Sequence, residues 1–363
     1  MQQEIGSNFW ICPEDTIASG LSIPSPSSFN CKGDDHVWLS TCRSAITLVI
    51  KTIEERNPNV NKTVLLPSFT CDTVYEPFMN LGYTVKTIPI DRQLVSHADD
   101  VLEVISNEEV GVVLFHRYFG FDTLSGIDKV VEHLHAKGII VIEDCTQSMY
   151  SNFPRIDADY FVGSIRKWCG VPDGGFAVSR TGCFTYQPDE YDLDLEKAKC
   201  EAGKLKYKYL FEGVGDKDRY LLQYREAEDI LSSQSQLYKI SPTSINIQSL
   251  LDVRNMRLKR VENYNYLWKG LNKMEGIDTI FPIINDDLTP LYLPVLCEDR
   301  KVTQRKLVEN AIYAPVVWPK ATTCPPVCED ADYIYEHILC IPIDQRYDLD
   351  DMQRIINVLN GSN

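Results

Sequence analysis

Between residues 63 and 179 the sequence repeats one pattern: a short apolar run, then a turn or a helix-forming segment, then another apolar run. Apolar runs of this length with little alternation are typical of strands buried on both faces of a parallel sheet. We predict such strands at 63–67, 84–90, 110–115, 138–143, 160–162 and 175–178. Helices are predicted between them at 72–81 and 128–136. The alternation predicts an α/β domain with a largely parallel sheet and covering helices.

A further helix is predicted near the start of the chain. The segment 39–46, Leu-Ser-Thr-Cys-Arg-Ser-Ala-Ile, reads as the beginning of a helix that runs to about Glu55. Small hydroxyl residues and free backbone amides at the start of a helix can hold a phosphate. Arg43 would add charge-assisted hydrogen bonds to such a group.

The second half of the chain changes in character. Residues 181–240 are rich in acidic and aromatic side chains with weak apolar periodicity, and we predict exposed helices that wrap over the core or over a partner. The segment Ser-Pro-Thr-Ser at 241–244 predicts the cap of one long helix from about 245 to 273.

The remaining segments predict a smaller α+β domain, with helices at 303–310 and 349–359. We therefore expect a large domain of residues 1–245 and a small C-terminal domain of residues 246–363.

Length and charge narrow the class of protein. A chain of 363 residues is long enough for one large domain and a smaller one. The net charge of -16, from 36 basic and 52 acidic residues, argues against nucleic acid or an anionic membrane as partner. No apolar run is long enough to span a bilayer, and the start at Met1–Glu4 lacks the features of a signal peptide. We expect a cytoplasmic protein.

The cysteine and histidine residues predict no metal site. Twelve cysteines in an intracellular chain of this size are expected to be reduced thiols. Cys324 and Cys328 are close in sequence, but two prolines separate them and no second Cys or His pair follows at ligand spacing. His133 and His135 lie two apart on a predicted helix, so they point to different faces.

The candidate chemistry centres on Lys167, which lies twenty-three residues after Asp144, with one predicted strand between them. A buried strand that ends in a carboxylate, followed by a strand that delivers a lysine, is what pyridoxal phosphate chemistry requires. The lysine would form a Schiff base with the cofactor aldehyde, and the aspartate would keep the pyridine nitrogen protonated. Ligands of such sheets bind at the carboxyl ends of the strands, which would bring His116, Asp144 and 164–167 to one rim. A surface lysine and a strand-end cap are the competing interpretations.

Several motifs together resemble the DegT/StrS family of pyridoxal-phosphate-dependent aminotransferases, enzymes of fold type I. They are LPSFTC at 66–71, FHRYFGF at 115–121, IEDCTQ at 142–147, SIRKW at 164–168 and PDGG at 172–175. The resemblance covers residues 38 to 180 well and the last hundred more loosely. It implies a three-layer large domain built on a mostly parallel sheet. It also implies a homodimer with shared active sites.

The resemblance also implies roles for individual residues. Lys167 would carry the Schiff base and move the substrate proton, and Asp144 would pair with the pyridine nitrogen. Gln147 corresponds to the position that contacts the phenolic oxygen of the cofactor, with a solvent-facing glutamine as the alternative. The phosphate would be held by Cys42, Arg43, Ser44 and the hydroxyl of Ser164. Arg43 departs from the small hydroxyl residue that is common there.

Two departures from the family pattern matter. Many members have an aromatic residue where this chain has Cys71, so contact with the cofactor ring is assigned to His116 or Tyr118. His116 could equally be a core histidine. In 181–240 we find no match for the arginine-bearing and asparagine-bearing segment that completes the partner's site, which leaves the substrate open.

The sequence thus predicts an aminotransferase that moves an amino group from an amino acid, glutamate being the expected donor, to a keto substrate. A nucleotide-linked keto-sugar in polysaccharide or glycan biosynthesis is the candidate acceptor. Two alternatives stay open. One is a lyase or sulfur-transfer enzyme on the same fold with Cys71 or Cys169 as the acceptor. The other is a cofactor-binding protein without turnover.

Overall fold

The computed structural model describes residues 4–16, 22–124 and 126–361. The expectation about a signal peptide concerns Met1–Glu4, of which residues 1–3 lie outside the described residues. The strands are β1 (Ile5–Gly6), β2 (Asp35–Leu39), β3 (Thr63–Pro67), β4 (Thr84–Ile88), β5 (Val112–His116), β6 (Ile140–Asp144), β7 (Tyr160–Ser164), β8 (Gly175–Ser179), β9 (Ile277–Thr279), β10 (Leu293–Cys297), β11 (Ile312–Tyr313) and β12 (Ile338–Ile341). The α-helices are α1 (Cys42–Arg56), α2 (Asp72–Asn80), α3 (Ala98–Asn107), α4 (Asp128–Ala136), α5 (Leu193–Tyr207), α6 (Lys217–Ser233), α7 (Pro242–Leu250), α8 (Val253–Leu271), α9 (Arg300–Glu309), α10 (Glu329–His337) and α11 (Leu349–Asn360).

The chain forms two compact units. The first comprises the described residues of Met1–Ser7, Asn59–Asp159 and Asp252–Asn363, and the second comprises those of Asn8–Pro58 and Tyr160–Leu251. The chain leaves the second unit after Leu251 and re-enters the first at Asp252. This point lies close to the predicted domain boundary between residues 245 and 246. The proposed division into two domains stays a prediction.

The first unit contains the predicted parallel strands in the order β6-β5-β3-β4. Strands β3, β5 and β6 are almost wholly buried, as their apolar runs predict. The prediction of burial on both faces is wrong for β4, where Thr84 and Lys86 are exposed. This strand is the last in the order, so no further strand covers it and its sequence alternates.

The first unit also contains the C-terminal elements, with the antiparallel order β12-β10-β9 and helices α8 to α11. Their apolar side chains share one core with residues of the parallel part, such as Phe69, Tyr118 and Phe121. Phe121 stacks on Phe281 with ring centroids 3.9 Å apart. The C-terminal segment therefore has the predicted α+β character.

The second unit is built on the antiparallel order β2-β8-β7, with α1 packed on β7 and β8. The predicted helices of 181–240 are α5 and α6, which pack against each other. The prediction of one long helix after Ser241 is wrong. Ser241 caps α7, the chain is extended at Leu251, and Asp252 caps the separate helix α8 by accepting from the Asn255 amide.

The described ranges contain neither a candidate membrane-spanning helix nor a candidate metal-binding cluster. None of the described helices combines the length and the apolar composition needed to cross a bilayer. The described residues contain no group of three or more His, Cys, Asp or Glu side chains arranged to hold a metal ion. The Cys324 thiol lies 4.0 Å from the Tyr335 hydroxyl, and the Cys328 thiol lies 3.4 Å from the Ile90 carbonyl.

Candidate active site

Two predicted site residues end neighbouring parallel strands of the first unit. His116 is the last residue of β5, Asp144 is the last residue of β6, and the two are register partners. Both side chains are buried. The Asp144 carboxylate accepts a hydrogen bond from the Thr146 amide at 2.8 Å. The structure therefore brings these two residues together at the carboxyl ends of the strands, where ligands of such sheets bind.

The imidazole of His116 has an apolar, aromatic environment. Its ring packs edge-on against Tyr118, with centroids 4.4 Å apart, and against Trp318 at 5.7 Å. Burial lowers the pKa of His116 to about 3, and a hydrogen bond to the Phe69 backbone offsets this only in part. The Nε2 atom is buried without a hydrogen-bond partner. The ring is neutral at physiological pH and has one nitrogen available to a ligand.

The segment that carries Cys71 is fixed by two tyrosines. The Tyr118 hydroxyl donates to the Phe69 carbonyl at 2.6 Å. The Tyr335 hydroxyl accepts from the Thr70 amide at 3.0 Å and donates to the Thr70 carbonyl at 2.8 Å. Burial raises the pKa of the Cys71 thiol to about 11. The thiol is therefore protonated at neutral pH, unlike the thiolate that sulfur transfer requires.

Gln147 is buried, so the solvent-facing interpretation of this residue is wrong. Its side-chain oxygen accepts from the Phe119 amide at 2.8 Å. Phe119 and Gly120 have φ values of 53° and 95°, a turn that directs this amide inward. A Cβ atom on Gly120 would lie 2.1 Å from the Thr289 carbonyl oxygen, so glycine is required there. Because the oxygen is occupied, the NH₂ group of Gln147 is the end that can donate to a ligand.

A buried ionic cluster that the sequence analysis missed lies beside these residues. Glu143, fully buried, pairs with Arg117 and, at 3.3 Å, with Arg155. It also accepts from the Ile156 amide at 3.0 Å. Because strand residues alternate between faces, Glu143 and Asp144 point to opposite sides of β6. The cluster anchors the end of β6. The sequence does contain a signal for this cluster: Arg117 lies within the mainly aromatic segment 115–121, and Glu143 lies at the end of the apolar segment 138–143.

The predicted phosphate turn of the second unit is the beginning of α1. Thr41 caps this helix, accepting from the Ser44 amide at 3.0 Å, and the two hydroxyl oxygens are 2.9 Å apart. Cys42 and Arg43 are half-buried in the first turn, and Ser44 is buried. Gly175 approaches this turn so closely that a Cβ atom would lie 2.2 Å from the Thr41 carbonyl carbon. The beginning of a helix is a position at which proteins bind anions, so the predicted phosphate residues lie where such binding is expected.

Ser164 and Lys167 lie on neighbouring parts of the second unit. Ser164 ends β7, is buried, and donates its hydroxyl to the Gly174 carbonyl at 3.0 Å. Because its proton is donated to the Gly174 carbonyl, the Ser164 hydroxyl cannot at the same time donate a hydrogen bond to a phosphate. Lys167 ends a single 3₁₀ turn, Ile165–Lys167, and its side chain is exposed in this chain.

A second buried carboxylate that was not predicted as a site residue supports the glycine turn. Asp173 accepts from the Ser241 amide at 3.1 Å, from the Ser241 hydroxyl at 2.8 Å and from the Ser244 hydroxyl at 2.5 Å. Burial raises the pKa of Asp173 to about 6 in spite of these bonds. The contacts fix Gly174 and Gly175 where they meet the 3₁₀ turn and α1. The position of Asp173 directly before two glycines was the sequence signal.

Comparisons with known proteins show the fold. Neither the scan against family models nor the search of curated proteins gives a match. Helicobacter pylori PseC, an aminotransferase involved in the biosynthesis of pseudoaminic acid, superposes with a TM-score of 0.69 at 13% identity, covering 99% of each chain. A DegT DnrJ EryC1 StrS aminotransferase from Brucella abortus gives 0.63 at 14% identity, covering 94% of this chain and 91% of that one. DesI, solved in the presence of its TDP-sugar product, gives 0.64 at 13%, covering 98% and 93%.

These identities are low, and the likeness shows a shared fold over nearly the whole chain. It confirms the predicted α/β fold class, which the three aminotransferase structures share. The individual site residues stay predictions, placed by the structure as described above.

Proposed function

We propose that this chain is a pyridoxal-phosphate-dependent aminotransferase that acts on a nucleotide-linked keto-sugar. The observation that carries the proposal is Asp144, a buried carboxylate at the carboxyl end of β6 and register partner of His116. A carboxylate in this position can keep the pyridine nitrogen of the cofactor protonated. The fold shared with sugar aminotransferases, one of them solved with a TDP-sugar, supports the substrate class.

Each unit, taken by itself, has residues whose chemistry suits one part of the cofactor. For the phosphate, the second unit offers the beginning of α1, which is capped by Thr41 and closely approached by Gly175. For the ring, the first unit offers Asp144, the NH₂ group of Gln147 and the buried, unpaired Nε2 of His116. When bound, pyridoxal phosphate supplies an electron sink that stabilises negative charge at the substrate carbon.

Each residue then has a stated task. Lys167 would hold the cofactor covalently in the resting enzyme, and its Nζ would carry the proton to and from the reacting carbon once it is released. Gln147 would donate to the phenolic oxygen. His116, being neutral, can contact a protonated pyridine ring without charge repulsion. Cys42, Arg43 and Ser44 would surround the phosphate, and Cys71 would lie near the ring. Ser164 would have to turn its hydroxyl away from the Gly174 carbonyl to donate to the phosphate.

The finer parts of the proposal rest on the sequence resemblance. They are glutamate as the amino donor, a cytoplasmic homodimer with shared active sites, and a role in polysaccharide or glycan biosynthesis. The sulfur-transfer alternative gains no support, because the Cys71 pKa is raised and the Cys169 thiol is buried at 3.6 Å from the Gln248 side chain. A binding protein without turnover would not need both Lys167 and Asp144.

The test is a half-reaction with amino donors. Cofactor-loaded protein mixed with L-glutamate should lose its near-visible absorption band and release an equimolar amount of 2-oxoglutarate. Asp144→Asn should slow this conversion by about a hundredfold or more, because the ring loses its electrostatic partner. The matched control Asp128→Asn, an exposed carboxylate in the first turn of α4, should react like the wild type. No conversion with any common amino donor would refute the proposal.

A further inference from the structure

Three charged side chains of the second unit meet beside Lys167. Arg166 lies on the 3₁₀ turn, Lys199 on α5 and Glu228 on α6. The Arg166 guanidinium lies 3.2 Å from Glu228 Oε1, and the Lys199 ammonium bonds the same oxygen. Two cations therefore share one carboxylate oxygen.

The three side chains differ in their access to water. The side chain of Lys199 is 7% exposed and that of Arg166 is 24% exposed, whereas that of Glu228 is 54% exposed. The carboxylate can rotate into solvent on its long side chain. The ammonium of Lys199 cannot follow it, because the lysine is buried between α5 and α6 and packs on the Tyr224 ring at 5.9 Å. Glu228 is therefore the residue of the cluster that another anion can replace.

The buried ammonium has unused hydrogen-bonding capacity. An ammonium has three N–H donors, and among the described residues Glu228 is the one acceptor of Lys199. Leaving a buried charged group incompletely paired is costly. A carboxylate or phosphate brings several acceptor oxygens and would satisfy both Lys199 and Arg166 more completely than one oxygen of Glu228.

The local charge balance favours an added anion. Burial together with the positive charges of Arg166 and Lys167 lowers the pKa of Lys199 to about 8, and Glu228 offsets this only in part. Burial would raise the pKa of Glu228, but Arg166, Lys199 and Lys167 hold it below its usual value. Arg166, Lys167 and Lys199 thus outnumber the single carboxylate of Glu228, although the whole chain has a net charge of -16.

We propose that Arg166 and Lys199 form a binding subsite for an anionic group of the substrate, a carboxylate or a phosphate, and that Glu228 occupies this subsite until the substrate displaces it. Arg166 adjoins Lys167 in the chain, so assigning the anion to the substrate rests on the proposed function. Helices α5 and α6 belong to the segment 181–240, which the family resemblance leaves unmatched. A subsite there would give this chain its own means of substrate selection.

The test measures anion affinity in charge variants of the cofactor-loaded protein. Calorimetric titrations at fixed ionic strength would use glutarate, thymidine diphosphate and inorganic phosphate as probes. Glu228→Gln should bind the preferred probe about tenfold more tightly, because no internal carboxylate has to be displaced, and Lys199→Met should bind it about tenfold more weakly. Stronger binding of glutarate would identify the carboxylate of an amino donor, and stronger binding of thymidine diphosphate would identify a nucleotide.

The proposal is decided by the direction in which each variant changes anion affinity: tighter in Glu228→Gln and weaker in Lys199→Met. A merely structural ion pair would be broken by both variants, and both would then change affinity alike. The controls Glu226→Gln on α6 and Lys197→Met on α5, exposed residues near the cluster, should stay within about twofold of the wild type. If Lys199→Met does not fold, Arg166→Met replaces it.

The inference fails if no probe binds, or if Glu228→Gln and Lys199→Met do not shift affinity in opposite directions. Borohydride reduction of the same samples separates this failure from failure of the proposed function. Cofactor on Lys167 without opposite shifts refutes the subsite alone. Opposite shifts without cofactor on Lys167 refute the proposed function alone.

Discussion

At the scale of single residues, the proposed contact of His116 with the cofactor needs a neutral ring. The residue is buried beside Asp144, and burial places its pKa at about 3. A protonated imidazole next to a protonated pyridine ring would oppose the binding that Asp144 favours. Apolar surroundings supplied by Tyr118 and Trp318 remove this conflict.

The neutrality of His116 predicts a pH dependence of stability. Between its folded pKa of about 3 and its ordinary value of 6.5, the unfolded chain binds a proton that the folded chain excludes. The free energy of unfolding therefore falls as the pH is lowered below 6.5, by about 2 kcal/mol at pH 5 for this residue. Urea unfolding of the cofactor-free protein at pH 7.5 and pH 5 should show this loss in the wild type and not in His116→Gln.

The control for this experiment is His36→Gln, which removes an exposed imidazole on β2 and should leave the acid loss in place. An equal loss in wild type and His116→Gln would show that His116 is protonated in the folded chain.

Some residue-level features were readable in the sequence and others were not. Asp144, Lys167 and Gln147 lie in motifs whose order along the chain predicts their placement near strand ends. The partners of Asp173 are Ser241 and Ser244, and the carboxylate that joins Arg166 to Lys199 is Glu228. Such contacts depend on packing between elements far apart in sequence, which periodicity does not report.

At the scale of elements, the beginning of α1 depends on how closely β8 approaches it. Gly175 opens β8 and lies against the backbone of Thr41 and Cys42. Gly174, with φ 129°, adopts a backbone conformation that side chains disfavour. A side chain at Gly174 would collide with Ile165 of the 3₁₀ turn, and one at Gly175 would collide with the beginning of α1.

Gly175→Ala should therefore weaken cofactor binding. Its Cβ atom would lie 2.2 Å from the Thr41 carbonyl carbon and 2.6 Å from the Cys42 nitrogen, so the turn must move. We expect about a tenfold or greater increase in the Kd of pyridoxal phosphate, because displaced amides lose their hydrogen bonds to the phosphate. Equilibrium titration followed by absorbance measures this.

The matched control is Gly126→Ala. Gly126 also has a positive φ, 84°, but a Cβ atom there would meet nothing within 4 Å. Gly126→Ala should lower the free energy of unfolding by about 1 kcal/mol through backbone strain alone. It should leave the Kd of the cofactor unchanged. An unchanged Kd in Gly175→Ala would show that α1 does not hold the phosphate.

Element predictions succeeded where one periodic signal dominates. The strands and helices between 63 and 179 follow from apolar runs separated by turns, and α1 begins at its hydroxyl cap. The break between α7 and α8 escaped prediction because an apolar stripe continues across Leu251 while Asp252 starts a new helix. Helix α3 was not among the predicted helices, although Asp99 and Asp100 in its first turn are the kind of residue that favours a helix start.

At the scale of the whole molecule, the fold could be predicted and the assembly could not be read from one chain. The sequence resemblance implies a homodimer, for which the surface of α5 and α6 carries large exposed apolar residues such as Leu193 and Leu222. Light scattering of the purified protein should give about twice the chain mass of 41.4 kDa. A mass of one chain at micromolar concentration would contradict the predicted dimer.

The central claim is that Lys167 carries the cofactor, and it can be tested directly. The protein is incubated with pyridoxal phosphate, reduced with borohydride, digested and mapped by mass spectrometry. The account predicts a phosphopyridoxyl group on Lys167, and its loss in Lys167→Arg while the neighbouring Lys199 stays unmodified. Modification of another lysine, or of none, would contradict the assignment of Lys167 and with it the proposed aminotransferase.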